Sequence, residues 1–161
     1  MNDLLNREKY LQQLLNDNFM VARYYRKTME SFLDRSLKQY FQSLASKRSQ
    51  FAIELGEEIK FYGGEKPYNL PMGYDRKWTE DDVEGKFEKT SKCVRLNKES
   101  LEKYQEALSE ISDGSLREIL IRHKAFVTNC IVEFEALKSL LKYDKGNDTH
   151  KGSLREESSQ F

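Results

Sequence analysis

The sequence predicts an all-α protein, a bundle of four long helices with one long crossover between the second and the third. Three observations predict it. Apolar residues recur at alternating spacings of three and four along most of the chain, as in helices buried along one seam. Only 2 prolines and 8 glycines occur in 161 residues, while 34% of residues are charged, with acids and bases intermingled as on long exposed helices. Both prolines, Pro67 and Pro71, fall in one aperiodic stretch that divides the chain into two helical pairs.

The first seam is Leu4, Leu11, Leu15, Ala22, Tyr25, Met29 and Phe32, and its register also passes through Glu8 and Asn18. A stop follows at FLDRS, where Asp34 or Ser36 can cap the next helix by accepting hydrogen bonds from its first free amides. The second seam carries Leu37, Phe41, Leu44, Phe51, Leu55 and Tyr62, with Ile59 beside it and Arg48 in the seam position between Leu44 and Phe51. Gly63 and Gly64 end this helix, because glycine takes the left-handed conformation that closes a last turn.

Residues 65 to 78, EKPYNLPMGYDRKW, have no helical period and are too long for a tight turn. Their aromatic and apolar side chains, Tyr68, Leu70, Met72, Tyr74 and Trp78, suit a strap lying along the bundle. Thr79 and Asp82 resemble a capping box, and the third seam follows with Val83, Phe87, Val94, Leu101, Tyr104, Leu108 and Ile111, interrupted by Thr90 and Asn97. After the turn ISDGS the fourth seam is Leu116, Leu120, His123, Val127, Cys130, Phe134, Leu137 and Leu141. Residues 1–143 therefore form the bundle. Residues 144–161 are polar and glycine-containing, with too little apolar surface to offset the entropy of ordering, and are expected to be a disordered tail.

The helices are joined short, long, short, which lets the second and third run parallel. The segments LLNDNFMVARYYRKT at 14–28, LKQYFQSLASKRSQFAIEL at 37–55, the GGEKP that follows and LNKESLEKYQEAL at 96–108 resemble the uncharacterised bacterial ferritin-like bundles grouped as a domain of unknown function. With the fourth helix, the resemblance covers nearly everything except the tail. Arg48 and Phe51, spaced R-x-x-F, and the double glycine are its more particular marks. The chain departs from the family in a shorter crossover and in Tyr24, where the family tends to have glycine before its tyrosine. The resemblance implies a ferritin-like four-helix bundle and no established activity.

Composition narrows the function. Lysine plus arginine number 27 and aspartate plus glutamate 27, so no net field selects a polyanion and nucleic acid is not an expected partner. The N-terminus lacks the basic start, apolar block and cleavage site of an export signal, and no apolar run approaches the ~20 residues needed to span a bilayer. A cytoplasmic protein without membrane contact is expected. Cys93 and Cys130 make no CxxC pair and read as reduced thiols, Cys93 lying nearer to solvent by register. No Gly-rich phosphate loop and no nucleophile triad can be traced.

Ferritin-like di-iron sites take a glutamate from each of two helices and Glu-x-x-His from each of the other two. Here Leu120 stands three residues before His123, the second helix has no histidine, and His150 lies in the tail, so no cofactor and no metal are expected. His123 reads as a neutral core imidazole and Cys130 as a small buried group. Their separation of seven residues, ~10 Å along a helix, is too great for a Cys-His pair.

A different pattern stands at mid-height. Asn18 and Arg48 are each fifteen residues from a turn centred near residue 33, and Asn97 and Cys130 lie at similar depth from a turn near 113. Asn18, Arg48, Asn97, His123 and Cys130 are therefore read as a buried polar layer where a ferritin keeps its irons. A guanidinium there needs acceptors, for which Asn18, Asn97 and Asp17 are the candidates. The competing arrangement lays the aliphatic stem of Arg48 over the seam and its charge in water. Two functional classes follow: a non-enzymatic structural or interaction protein, acting as a homodimer or on an unnamed partner protein and related to stress physiology, or a metal-dependent oxidoreductase with a non-standard site using His123, Cys130 or surface carboxylates.

Overall fold

The computed structural model describes residues 2–63 and 85–148, and among these every regular element is a helix. α1 spans Asn2–Met29, α2 Arg35–Phe61, α3 Lys86–Glu110 and α4 Gly114–Asp148. The connector 65–78, the Thr79 and Asp82 capping box and Val83 lie outside the described residues. α4 runs five residues into the stretch assigned from sequence to the tail, and the rest of that stretch also lies outside them.

Local chemistry sets the helix ends. Asp34 caps α2 by accepting the Leu37 amide at 3.0 Å. Its other end closes with the Gly63 amide donating to the Lys60 carbonyl at 3.0 Å, Gly63 holding φ +90°, a conformation that a side chain would strain. Asp113 accepts the Leu116 amide at 3.0 Å and so caps α4. In the same turn the Arg117 guanidinium donates to the carbonyls of Leu108 and Ile111, which α3 leaves without helical partners.

Contacts between helix ends give the topology. The Tyr62 hydroxyl, at the end of α2, donates to Asp113 beyond the end of α3 at 3.0 Å. At the opposite end Lys89, early in α3, donates to Ser31 after α1 at 2.8 Å. α2 and α3 therefore run parallel, and the chain crosses the length of the bundle between them. This is the ferritin-like arrangement. α1 packs most closely on α2 and α3 on α4, and the two hairpins meet through α1 and α3. No helix of the described residues is long and apolar enough to cross a membrane.

The core has two apolar parts. Toward the α1–α2 turn, Tyr25, Phe32, Phe41 and Phe134 form a ring cluster, with Phe41 and Phe134 stacked at 5.7 Å. Toward the α3–α4 turn, Leu11, Leu15, Leu55, Ile59, Leu116 and Leu120 fill the interior. Between them lies a layer of buried polar side chains, Asp17, Asn18, Arg48, Asn97, Ser100 and His123. Burying such groups without partners would cost several kcal/mol in all, so their bonding decides whether the layer is tolerable.

Candidate functional site: a buried arginine at the centre of the bundle

Arg48 has 0% exposure, which rules out the arrangement that takes its charge to water. Two helices supply its acceptors. Nη1 donates to Asn18 Oδ1 of α1 at 2.7 Å, while Nη2 donates to Asn97 Oδ1 at 2.9 Å and Ser100 Oγ at 3.0 Å, both of α3. Nε finds no acceptor among the described residues. The countercharge is Asp17, whose Oδ2 lies 3.9 Å from Nη1 and accepts the Ser100 hydroxyl at 2.5 Å. Its Oδ1 is held by Lys103 at 3.0 Å, at the edge of the bundle. The guanidinium is thus bonded mainly to neutral oxygens, with one carboxylate behind a serine.

The guanidinium also orients both amides, because a flipped Asn18 or Asn97 would present N–H groups to N–H groups. Two arms follow. On the first, Asn18 Nδ2 donates to the Leu14 carbonyl at 2.8 Å and to the Tyr104 hydroxyl at 2.8 Å. The Tyr104 hydroxyl, having accepted, gives its own proton to His123 Nδ1 at 2.9 Å. The histidine proton then sits on Nε2, which donates to Glu54 Oε1 at 2.5 Å, and Arg122 holds the other carboxylate oxygen at 2.6 Å. On the second arm, Asn97 Nδ2 donates to the Cys93 carbonyl at 2.8 Å and to the Tyr25 hydroxyl at 2.7 Å, and the Cys130 thiol lies near Tyr25.

The structure thus brings Asn18, Arg48 and Asn97 into direct contact and joins His123 through Tyr104, while Cys130 only lies near Tyr25. His123 is neutral. Burial lowers its pKa to about 4, with Arg122 and Arg48 adding to the fall and the bond to Glu54 only partly opposing it. Phe51 stacks on the imidazole at 3.8 Å. Burial also works against the Glu54 charge, but the bonds from Arg122 and His123 outweigh it and hold the carboxyl below its usual range.

Burial pushes both thiols up to about 12, which keeps them protonated and poor nucleophiles. For Cys93 this corrects the sequence reading, which placed it nearer to solvent. It has 0% exposure, with Thr28 Oγ1 3.7 Å from its sulfur, because the buried line of α3 passes through Thr90, Cys93, Asn97, Ser100, Tyr104 and Ala107. Sequence reasoning also missed Ser100, Tyr104, Tyr25 and Glu54 as members of the network. Ser100 and Tyr104 carried a usable signal, lying three and seven residues after Asn97 on one helical face.

Comparison with known proteins places this centre in context. Residues 6–72 match the model of a domain of unknown function (DUF2383). The bundle is similar to a crystal structure of ferritin-like, diiron-carboxylate proteins from Bacillus anthracis, with TM-score 0.71 and 18% identity over 86% of this chain and 99% of that one. The chain is thus similar to the DUF2383 family over less than half of its length, on a bundle of ferritin-like fold. It is also similar to a point mutant of Mycobacterium smegmatis Dps1, with TM-score 0.70 and 14% identity over 85% of this chain and 97% of that one. None of the curated proteins matches it.

The ferritin-like fold implies a metal pair in the bundle core, and these residues do not fit one. Among the described residues no three His, Cys, Asp or Glu side chains converge. Both nitrogens of His123 are bonded, to Tyr104 and to Glu54, and both Asp17 oxygens are engaged. The central position is taken by a fixed positive charge. A divalent ion about 4 Å from it would be repelled by about 8 kcal/mol at an effective dielectric of 20.

Proposed function

We propose that this chain is a non-enzymatic ferritin-like scaffold in which a guanidinium network stands where the fold's metal centre would be, and that it acts through its outer surface. The observation that carries the reading is Arg48, fully buried and held by Asn18, Asn97 and Ser100. A site for redox or hydrolytic chemistry needs donors open to a substrate, whereas here the donors bond one another. Small residues and amides in the deepest positions of α1 and α3 make room for the arginine head. A cytoplasmic setting goes with this reading, and the likeness to ferritin-like proteins supports a stress-related role.

Metal content tests it. Protein from cultures supplied with iron, manganese and zinc, then dialysed, is expected to hold well under one equivalent of any of them. Addition of these ions is expected to leave its melting temperature unchanged, because a ligand stabilises only through a preference for the folded state. A stoichiometric ion that survives dialysis and raises the melting temperature would instead establish a metal-dependent oxidoreductase or metal-binding bundle with a non-standard site.

A further inference from the structure

α4 is apolar on two opposite faces. One face is the core line of Leu116, Leu120, His123, Val127, Cys130 and Phe134, all buried. The other runs along the outside through Ile121, Ala125, Thr128, Val132, Ala136 and Tyr143, all exposed, with Asn129, Ser139 and Leu140 at its margins. The large members are far from covered, Ile121 being 50% exposed, Val132 66%, Leu140 66% and Tyr143 71%. No charged residue stands on this stripe for twenty-three consecutive positions in a chain that is 34% charged. Every lysine, arginine and glutamate of the segment lies to one side or the other. Spacings of four and three make the stripe a helix-pairing seam rather than a scatter of surface leucines, and depletion of charge at the centre marks an interface core.

We infer that this outer stripe of α4 pairs antiparallel with the same stripe of a second copy of the chain, forming a reversible homodimer. The inference names the surface through which the proposed scaffold acts and so rests on that reading. Charge placement selects a second copy as the occupant. Lys124 and Glu135 lie on the same flank of the stripe, at similar distances on either side of residues 129 and 130. A two-fold axis at that point sets Lys124 of each protomer opposite Glu135 of the other, and Thr128 opposite Val132. Parallel pairing would carry this flank of the two helices to opposite sides of the seam and leave the pair unmade. Size sets the strength: twenty-three residues make a seam about 34 Å long and 10–12 Å wide, or roughly 400 Å² a side. At about 800 Å² in all this lies below the size of stable specific interfaces, which makes the dimer weak and reversible on dilution.

The test uses the full chain in sedimentation equilibrium across a dilution series. Wild type is expected to pass from dimer to monomer, and Val132→Glu, which places two charges at the seam centre, to dissociate roughly tenfold or more easily with unchanged helical content. Lys124→Glu and Glu135→Lys are each expected to weaken the dimer, and the double variant to restore it. The paired variant Thr128→Cys with Val132→Cys should form an intermolecular disulfide under mild oxidation. A strict monomer at every concentration overturns the inference. So does a dimer indifferent to Val132→Glu and to the charge exchange. Neither result touches the metal content, so the scaffold reading stands or falls separately.

Discussion

Arg48 holds a positive charge where solvent does not reach, and its value to the fold lies in what its loss would strand. Asn18 and Asn97 are oriented by it, and Asp17 keeps only Lys103 as a charged partner without it. Arg48→Met keeps the volume and the aliphatic stem but removes every donor. Two amide oxygens and the Ser100 hydroxyl are then left without a donor at 0% exposure, and Asp17 loses its buried countercharge. Removing one side of a buried charge network costs about 3–5 kcal/mol, against about 1 kcal/mol for an ordinary core change of equal volume. The expected result is a large fall in the urea midpoint with little change in its slope. A midpoint that holds or rises would mean that the network is dispensable and that apolar packing alone specifies the centre.

At the scale of the element, the helix ends follow the chain's local chemistry closely. Asp34 caps α2, and Asp34→Ala is expected to lower stability by about 1 kcal/mol, read as a shift in thermal midpoint with the network intact. The turns were legible because capping and left-handed glycine depend on neighbouring residues alone. The rotation of α3 was legible only in part. Val94, Tyr104 and Ile111 of its predicted seam are buried, as are Thr90 and Asn97 in the same register, but Phe87, Leu101 and Leu108 are only partly buried, and Cys93 and Ser100 take deep positions instead. A seam read from hydrophobicity points at the greasiest residues, whereas this helix turns its small and polar residues inward to meet a guanidinium. The same effect hid Cys93. Asn18, Arg48 and Asn97 could be placed together because distance from a turn fixes height in a bundle at 1.5 Å per residue. The hydroxyls of Tyr25 and Tyr104 could not, since a tyrosine in a seam reads as an apolar ring until its hydroxyl is seen to point at an amide.

For the whole molecule, the network makes folding sensitive to pH in a window set by one residue. His123 has a pKa near 6.5 in an unfolded chain and about 4 in the fold. Between those values the unfolded state takes up a proton that the folded state refuses, so stability falls as pH falls, by up to about 1.4 kcal/mol per pH unit. The shift amounts to roughly 3 kcal/mol in full, a large part of a typical 5–15 kcal/mol. Protonation would put a proton on Nδ1, where the Tyr104 hydroxyl already donates, so the loss reaches the centre of the bundle. Glu54, held below its usual range, adds its own loss only in more acid solution. Glu58 works the other way, since burial and then the charges of Asp113 and Glu54 raise its pKa and favour the fold as it protonates. Glu54 acts below the ordinary carboxylate range and Glu58 from that range upward, so the fall across pH 7 to 5 belongs to the histidine, with Glu58 opposing it equally with and without the imidazole. Urea midpoints are expected to fall across that interval in wild type and to stay nearly level in His123→Gln, which starts less stable but has no imidazole to protonate. Equal slopes in the two proteins would mean that His123 titrates alike in the folded and unfolded chain, and a wild-type midpoint that rises as pH falls would mean that it is charged in the fold, with Tyr104 accepting its proton.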